Sequence, residues 1–284
     1  MAFAWSLLPV VLATVSPVTQ AGLINDVPSC YAANKIQGPV ASYDKLVYLL
    51  IDQTVLLDPT LQKSVLDNML SLLQPGTKFV VAEFSAFSQE RYLQVLHTGI
   101  IETGMPASQE GDVVMGRLND FKACMKAQAP FAQRMALTSA HDAMAGSAST
   151  LAQSDVMLAL KTVSDAVRQD SATKKVVFVV TDGLENSSIT SFYAKNAVRG
   201  VNPDIELNKA RTNQLIGDFG GARVYILGGG LMAPPTQGTA AQRNGYRDPK
   251  TLLALKQFWS AYFSQSNARL VEFGAPALVE SVGY

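Results

Sequence analysis

The chain has 284 residues, and its 23 Lys and Arg residues balance 23 Asp and Glu residues, so that the formal net charge is zero. Apolar residues make up 48% of the sequence and charged residues 16%, a composition typical of a globular protein and not of a disordered one. The charge balance argues against non-specific nucleic-acid binding. With two His and two Cys in total, the sequence also argues against a zinc site built from those residues.

The N-terminal residues have the pattern of a secretory signal peptide. Residues 1–25 carry no charged side chain, 3–15 are largely apolar, and Thr19-Gln20-Ala21 places small residues before a cleavage position. We therefore expect a signal peptide over 1–21, an N-terminal extension over 22–41, and an exported protein, periplasmic or secreted, with no transmembrane segment after cleavage. No basic residue precedes the apolar stretch, and a buried N-terminal element or an uncleaved anchor remain the alternatives.

Export would place the two cysteines, Cys30 and Cys124, in an oxidising compartment. In an oxidising compartment an even number of cysteines usually pairs, which favours a disulfide bond between Cys30 and Cys124. The alternative is a pair of unrelated buried thiols that pack as small apolar side chains.

Five short runs rich in Val, Ile, Leu and aromatic residues predict buried parallel strands. A sixth stretch, 91–100, alternates apolar and polar residues and follows the second run after a short polar link, which indicates an antiparallel edge strand. The five runs are Leu46–Asp52, Lys78–Phe84, Lys175–Asp182, Ala222–Gly228 and Arg269–Gly274.

Helical patterns lie between these strands. Asp58-Pro59 begins one helix, with Asp as the N-cap and Pro in the first turn, and Asp248-Pro249 repeats this arrangement. Further helices are predicted over 116–135, 150–168 and 205–219. The alternation predicts one α/β domain over 42–284, a doubly wound, mainly parallel six-stranded sheet with one antiparallel edge strand and helices on both faces.

Two of the predicted strands end in an aspartate. Asp52 ends the first strand, and Asp182 ends the strand that reads Val-Val-Thr-Asp-Gly. Ligands of open α/β sheets lie at the carboxyl ends of the strands, so these two carboxylates are candidates for a common site. A hard cation such as Mg²⁺ or Ca²⁺ relieves such a concentration of negative charge and takes oxygen ligands.

With these motifs the chain resembles a von Willebrand factor type A domain over about residues 42–275. That family has a strand ending in D-x-S-x-S, a Thr before a helix, and a second Asp in T-D-G, which together form a metal-ion-dependent adhesion site, usually for Mg²⁺. The stretch 176–183 is the strongest match, and Ser149-Thr150-Leu151 matches the segment that bears the Thr. The resemblance implies four metal ligands, Asp52, Thr54, Thr150 and Asp182.

One position departs from the family pattern. Leu56 stands where the family has its second Ser, and it cannot bind a metal. Water can replace the lost hydroxyl at a cost in affinity. Two expectations follow: either Mg²⁺ binds, with Mn²⁺ or Ca²⁺ as substitutes, or Asp52 and Asp182 hydrogen-bond to neighbouring loops and helix N-termini in a metal-free scaffold. Glu185 is expected to shape the loop after Asp182 or to lie on the rim of the site.

The favoured function is therefore that of an exported von Willebrand factor A-like protein that binds a protein partner and no nucleic acid. The alternative is a metal-independent structural or assembly component of the cell envelope or of a secretion apparatus. An α/β enzyme that uses Asp52 or Asp182 as a general acid–base is the least favoured hypothesis. No set of nucleophile, base and oxyanion donors can be assembled from the sequence motifs, so we expect that the protein is not an enzyme.

Overall fold

The computed structural model describes residues 25–39, 42–85, 93–148, 154–194, 197–231 and 248–284. The predicted signal peptide, residues 1–21, and the candidate ligand Thr150 lie outside the described residues. Across the described ranges, no helix combines the length and the apolar character that a membrane crossing needs.

The main sheet has six strands, of which five are parallel and one is antiparallel. Their bounds are β1 Lys45–Asp52, β2 Thr77–Phe84, β3 Leu93–Ile101, β4 Lys174–Val180, β7 Ala222–Leu227 and β8 Ala268–Gly274, and the short strands β5 Tyr193–Ala194 and β6 Ala197–Val198 pair with each other. The order across the main sheet is β3-β2-β1-β4-β7-β8, with β3 antiparallel to β2. The six predicted strands are confirmed, each with bounds that differ by about two residues at most.

The helices of the described residues cover both faces of this sheet. They are α1 Cys30–Ala33, α2 Pro59–Leu72, α3 Ala107–Glu110, α4 Met115–Ala145, α5 Val156–Gln169, α6 Pro203–Thr212 and α7 Pro249–Gln265. Because side chains alternate along a strand, β1 divides its residues between two cores. Val47, Leu49 and Ile51 pack with α2 and α4, whereas Leu46, Tyr48 and Leu50 pack with α5, α6 and α7. The prediction of a doubly wound α/β sheet is confirmed.

Two helices begin with the predicted caps. The Asp58 carboxylate accepts a hydrogen bond of 2.9 Å from the backbone N–H of Leu61, and Pro59 occupies the first turn of α2. The Asp248 carboxylate likewise accepts hydrogen bonds from backbone N–H groups in the first turn of α7. Each cap satisfies N–H groups that have no partner within the helix.

Three other helices differ from their predictions: α5 was expected from residue 150 but begins at Val156, since Ser154 and Asp155 are not helical, and the other two differ at their C-terminal ends. α4 was expected to end near residue 135 but continues to Ala145, with Pro130 inside it. Its buried Ala132, Ala136 and Ala140 form a small-residue face that packs against the sheet, and alanine has the highest helix propensity. α6 was expected to reach residue 219 but ends at Thr212, because Gln214 adopts a positive φ of 57°.

The N-terminal segment is fastened to the domain. The predicted disulfide is confirmed: the sulfurs of Cys30 and Cys124 lie 2.00 Å apart and join α1 to α4. The buried carboxylate of Glu102 accepts a hydrogen bond of 2.8 Å from the Cys30 N–H, and the N–H of Asp26 donates to the carbonyl of Thr98 on β3. Residues 26–30 are therefore held at the β3 edge of the sheet and against α4.

Candidate functional site

The candidate site lies where β1 and β4 end. These two strands are parallel neighbours at the centre of the sheet, with Ile51 opposite Val180 in the register. Asp52 is the last residue of β1, and Asp182 follows β4 by two residues. The structure thus brings the two aspartates that the sequence singled out to the same edge of the sheet, where open α/β folds bind their ligands.

Asp52 is fully buried and accepts hydrogen bonds on both carboxylate oxygens. Oδ1 accepts from the backbone N–H and the hydroxyl of Thr54, at 3.0 and 2.7 Å. Oδ2 accepts from the hydroxyls of Ser154 and Thr181, at 3.0 and 2.8 Å. Three hydroxyl groups from three segments of the chain therefore surround one carboxylate.

Asp182 is also buried, and its hydrogen bonds come from the loop that follows it. Its Oδ1 accepts from the backbone N–H of Leu184 at 2.8 Å, and its Oδ2 accepts from the Tyr193 hydroxyl at 3.2 Å. The turn from Asp182 to Leu184 depends on Gly183, which has a φ of +69°. The carbonyl of Gly183 accepts a hydrogen bond from the indole N–H of Trp259. A Cβ at this position would lie 2.7 Å from that indole nitrogen, so the chain needs a glycine here.

The surroundings of Asp52 and Asp182 disfavour the charged form of both carboxylates. Burial raises the pKa of Asp52, and the hydrogen bonds from Thr54, Thr181 and Ser154 oppose that rise. Burial and the neighbouring charge of Asp52 together raise the pKa of Asp182 well above its usual range. No ion pair between described residues involves either carboxylate, so no Lys, Arg or His of those ranges neutralises them.

The donor set suits a hard cation. Carboxylate and hydroxyl oxygens are the ligands that Mg²⁺ and Ca²⁺ prefer, and Asp52, Thr54 and Asp182 provide them at one edge of the sheet. The described residues contain no group of three or more His, Cys, Asp and Glu side chains placed to share a metal ion, so hydroxyls and water would have to complete the shell. The metal-binding role of these residues stays a prediction.

Two further positions of the family's metal motif are Thr150 and Leu56. Thr150 lies outside the described residues. Leu56 is 51% exposed, and it supplies no oxygen at the position where the resembling family has a Ser. Asp58 immediately precedes α2, and its carboxylate serves as the helix cap described above.

Three groups of the site were missed by sequence reasoning. Ser154 precedes α5 and is held opposite Asn186 by two backbone hydrogen bonds, which aim its hydroxyl at Asp52. Thr181 belongs to the T-D-G motif, which was noted for its aspartate alone. Tyr193 begins the short strand β5, 11 residues beyond Asp182, and no local pattern marks it. Of these three residues, only Thr181 could have been predicted, because it is part of the T-D-G motif.

The structure decides between the two expectations for Glu185. It is not on the rim, because its side chain is 1% exposed. Its carboxylate accepts a hydrogen bond of 2.9 Å from the Met157 N–H in the first turn of α5, where the N-cap residue Asp155 forms no side-chain cap hydrogen bond. Burial raises the pKa of Glu185 to about 8. Glu185 therefore shapes the loop by capping a helix from a distance.

Comparisons with known proteins give similarity to solved structures only. No protein-family model matches the chain, and no curated protein matches it. The pilus adhesin SpaC of Lactobacillus rhamnosus GG, in its open conformation, aligns at 12% identity and a TM-score of 0.38 over 84% of this chain and 29% of the adhesin. The chain thus spans less than a third of the adhesin's length.

Two other structures align over more of their own length. An aerotolerance-related membrane protein of Bacteroides fragilis aligns at 13% identity and a TM-score of 0.34, over 81% of this chain and 92% of that one. The N-terminal domain of TFIIH p34 aligns at 9% identity and a TM-score of 0.31, over 78% and 99%. Similarity at this level does not transfer a function to the chain.

Proposed function

We propose that the protein is a von Willebrand factor A-like domain that binds a protein partner at the sheet edge carrying Asp52 and Asp182. The observation that carries the proposal is a pair of buried, interacting carboxylates, surrounded by hydroxyls, with no ion-pair partner among the described residues. Burying charge without compensation is costly. A site with this charge favours a ligand that brings positive charge to it.

A divalent cation, Mg²⁺ before Mn²⁺ or Ca²⁺, is the ligand that fits these oxygens. Asp52, Thr54 and Asp182 would hold it, and the hydroxyls of Ser154 and Thr181 lie against the same Asp52 oxygen. When bound, the cation supplies a Lewis-acidic position that an acidic side chain of a partner can complete. The residues of this chain fix the Asp52 carboxylate in place by four hydrogen bonds.

The test is a calorimetric titration of Mg²⁺, Mn²⁺ and Ca²⁺ into the purified protein. Asp182→Ala removes one proposed ligand, and Asp67→Ala, at an exposed position on α2, is the matched control. Saturable binding to one site that is lost in Asp182→Ala and kept in Asp67→Ala supports the proposal. Absence of binding up to millimolar metal, in a protein with an intact unfolding transition, overturns its metal-dependent form.

A second candidate function, a metal-independent structural or assembly component, has one observation in its favour. Both oxygens of Asp52 already accept hydrogen bonds from groups of the protein, so its hydrogen-bonding needs are met without a ligand. Leu56 removes a further oxygen from the site. Partner capture that is equally strong in EDTA and in Mg²⁺, and that survives Asp182→Ala, favours this candidate over the first.

We further propose that the protein is exported and is not an enzyme. The disulfide supports export, because such bonds persist in oxidising compartments. The non-enzymatic role rests on the sequence motifs, from which no set of nucleophile, base and oxyanion donors can be assembled; the two histidines contact aspartates, His97 with Asp26 and His141 with Asp142. The mass of the protein recovered from the exporting cell tests cleavage after Ala21, and retention of residues 1–21 contradicts it.

A further inference from the structure

Tyr193 forms the one side-chain hydrogen bond that Asp182 accepts from the described residues. Its hydroxyl donates to Oδ2 at 3.2 Å, while Oδ1 is occupied by the Leu184 N–H. A phenol is a neutral donor, so it orients the carboxylate without cancelling its charge. A carboxylate oxygen has two lone pairs, so Oδ2 can accept from Tyr193 and still face a cation.

The position of Tyr193 depends in turn on Arg199. The Arg199 Nε donates to the carbonyl of Ser191 at 2.6 Å, and its backbone N–H donates to the carbonyl of Phe192 at 2.9 Å. Its guanidinium also lies 5.6 Å from the centre of the Phe192 ring. Arg199 therefore holds both residues that immediately precede Tyr193.

Glu206 anchors this arrangement in α6. Its side chain is 2% exposed, and Oε1 lies 2.7 Å from Nη2 of Arg199. Oε2 accepts a hydrogen bond of 2.8 Å from the hydroxyl of Thr190, which lies at the start of the same loop. Lys209 Nζ completes the cluster at 3.1 Å from Oε2. The loop from Thr190 to Tyr193 is thus tied to a helix by a buried ion pair.

We infer that Tyr193 is a positioning residue for Asp182, and that the Arg199–Glu206 pair holds it in that place. The inference rests on the proposed function, since it concerns the same site. Partners outside the ligand shell orient metal ligands, and their loss typically lowers metal affinity 10–100-fold. Tyr193→Phe removes the hydroxyl and keeps the ring, so it tests the hydrogen bond alone.

The first experiment is the titration of Mg²⁺ into Tyr193→Phe and into the control Tyr225→Phe. Tyr225 is also buried, and its hydroxyl donates to the carbonyl of Gly283 without contact to either aspartate. We expect the dissociation constant to rise 10–100-fold in Tyr193→Phe and to stay within about twofold of the wild type in Tyr225→Phe. Unchanged or tighter binding in Tyr193→Phe overturns the inference.

The second experiment needs no metal and separates this inference from the proposed function. A double-mutant cycle combines Tyr193→Phe with Asp182→Ala and measures the midpoint of urea unfolding in EDTA. Because the two side chains are in contact, we expect the shifts of the midpoint to be non-additive. Additive shifts overturn the positioning role. Wild-type protein that binds no Mg²⁺ but shows non-additive shifts refutes the metal site and keeps the role of Tyr193.

The third experiment tests the link through Arg199. Arg199→Lys keeps a positive charge beside Glu206 but loses the planar donor group that contacts Ser191, whereas Arg199→Met loses both. We expect Mg²⁺ affinity to fall in both variants, and to fall further in Arg199→Met. A folded Arg199→Met variant with wild-type affinity overturns the role of the ion pair.

Discussion

The molecule buries carboxylates in two neighbouring regions and treats them in opposite ways. Glu206 lies between Arg199 and Lys209, and although burial alone would raise its pKa, the hydrogen bonds from Arg199, Thr190 and Lys209 lower it overall. At the end of the sheet, Asp52 and Asp182 receive hydrogen bonds but no ion pair from the described residues, and the pKa of each is raised.

The difference separates a carboxylate whose charge is matched by cations of the fold from two carboxylates whose charge no described cation matches. The ion pairs of Glu206 hold a loop in place, and the charge of Glu206 is more than matched by those of Arg199 and Lys209. The aspartate pair costs stability as long as both members are charged, because each repels the other in a site that excludes water. Strongly perturbed groups of the second kind are typical of functional sites, although structural networks perturb pKa values as well.

The largest expected effect comes from removing the Glu206 carboxylate from its ion pairs with Arg199 and Lys209. Glu206→Gln leaves Arg199 without its buried partner, and we expect a loss of about 3 kcal/mol in the free energy of unfolding at pH 7, the low end for a broken buried pair. The low end applies because Arg199 and Lys209 are 26% and 38% exposed and can still reach water. Urea unfolding measures the change, and a loss below about 1 kcal/mol would contradict it.

Glu185 has no ion-pair partner in the described ranges. Replacing it with glutamine is therefore expected to raise the free energy of unfolding at neutral pH, and not to lower it as at Glu206. The pKa of Glu185, about 8, lies above the ordinary 4.5, so the folded protein keeps a proton that the unfolded chain has lost. Stability therefore falls as the pH rises from about 4.5 to 8, by up to about 1.4 kcal/mol per pH unit for this one group. The Glu185→Gln variant keeps an acceptor for the Met157 N–H but does not titrate.

We expect the stability of Glu185→Gln to gain about 2.5 kcal/mol on that of the wild type between pH 5 and pH 7. Urea unfolding at several pH values measures this difference, with the exposed Glu280→Gln as the control. Parallel pH profiles for the wild type and Glu185→Gln would show that Glu185 is charged in the folded protein.

A smaller gain is expected at Asp182. Asp182→Asn removes one of two repelling charges and keeps an oxygen for the Leu184 N–H. In EDTA at pH 7.5 we expect the variant to be more stable than the wild type by about 1 kcal/mol. Addition of Mg²⁺ should stabilise the wild type by mass action and leave the variant unchanged. Thermal unfolding in both buffers measures this, and a variant that is less stable in EDTA would place a net favourable charge at Asp182.

The sheet could be predicted because its strands carry their own signal. Short, near-continuous apolar runs rich in β-branched residues, such as Lys175–Asp182, are typical of a strand buried on both faces. The helix ends were predicted where a cap marks them, as at Asp58 and Asp248. The predicted helix ends were wrong where tertiary packing determines the end. The alanines of α4 beyond residue 135 are only weakly apolar, and the positive φ of Gln214 that ends α6 has no sequence signature.

The site could be predicted in part for the same reason. Asp52 and Asp182 end strands, so the topology alone brings them together. Ser154 and Tyr193 reach the site from loops, and their positions depend on contacts distant in sequence, such as those of Asn186 and Arg199. The sequence left Glu185 either shaping the loop or on the rim, and only the structure shows that the first turn of α5 takes an acceptor from it, since the N-cap residue of that helix supplies none.

The smallest change in stability is expected for the solvent-exposed carboxylate of Asp67. It serves as a reference for the changes predicted at Glu206, Glu185 and Asp182. Asp67 pairs with Lys63 one turn away on α2, and the two side chains are 60% and 74% exposed. Exposed pairs at this spacing contribute about 0.3–0.5 kcal/mol, so Asp67→Asn should lower the free energy of unfolding by no more than that and lose the effect at 1 M salt. Urea unfolding at both salt concentrations measures it. A loss as large as that of Glu206→Gln would mean that the number of charges, and not their burial, governs the stability of this protein.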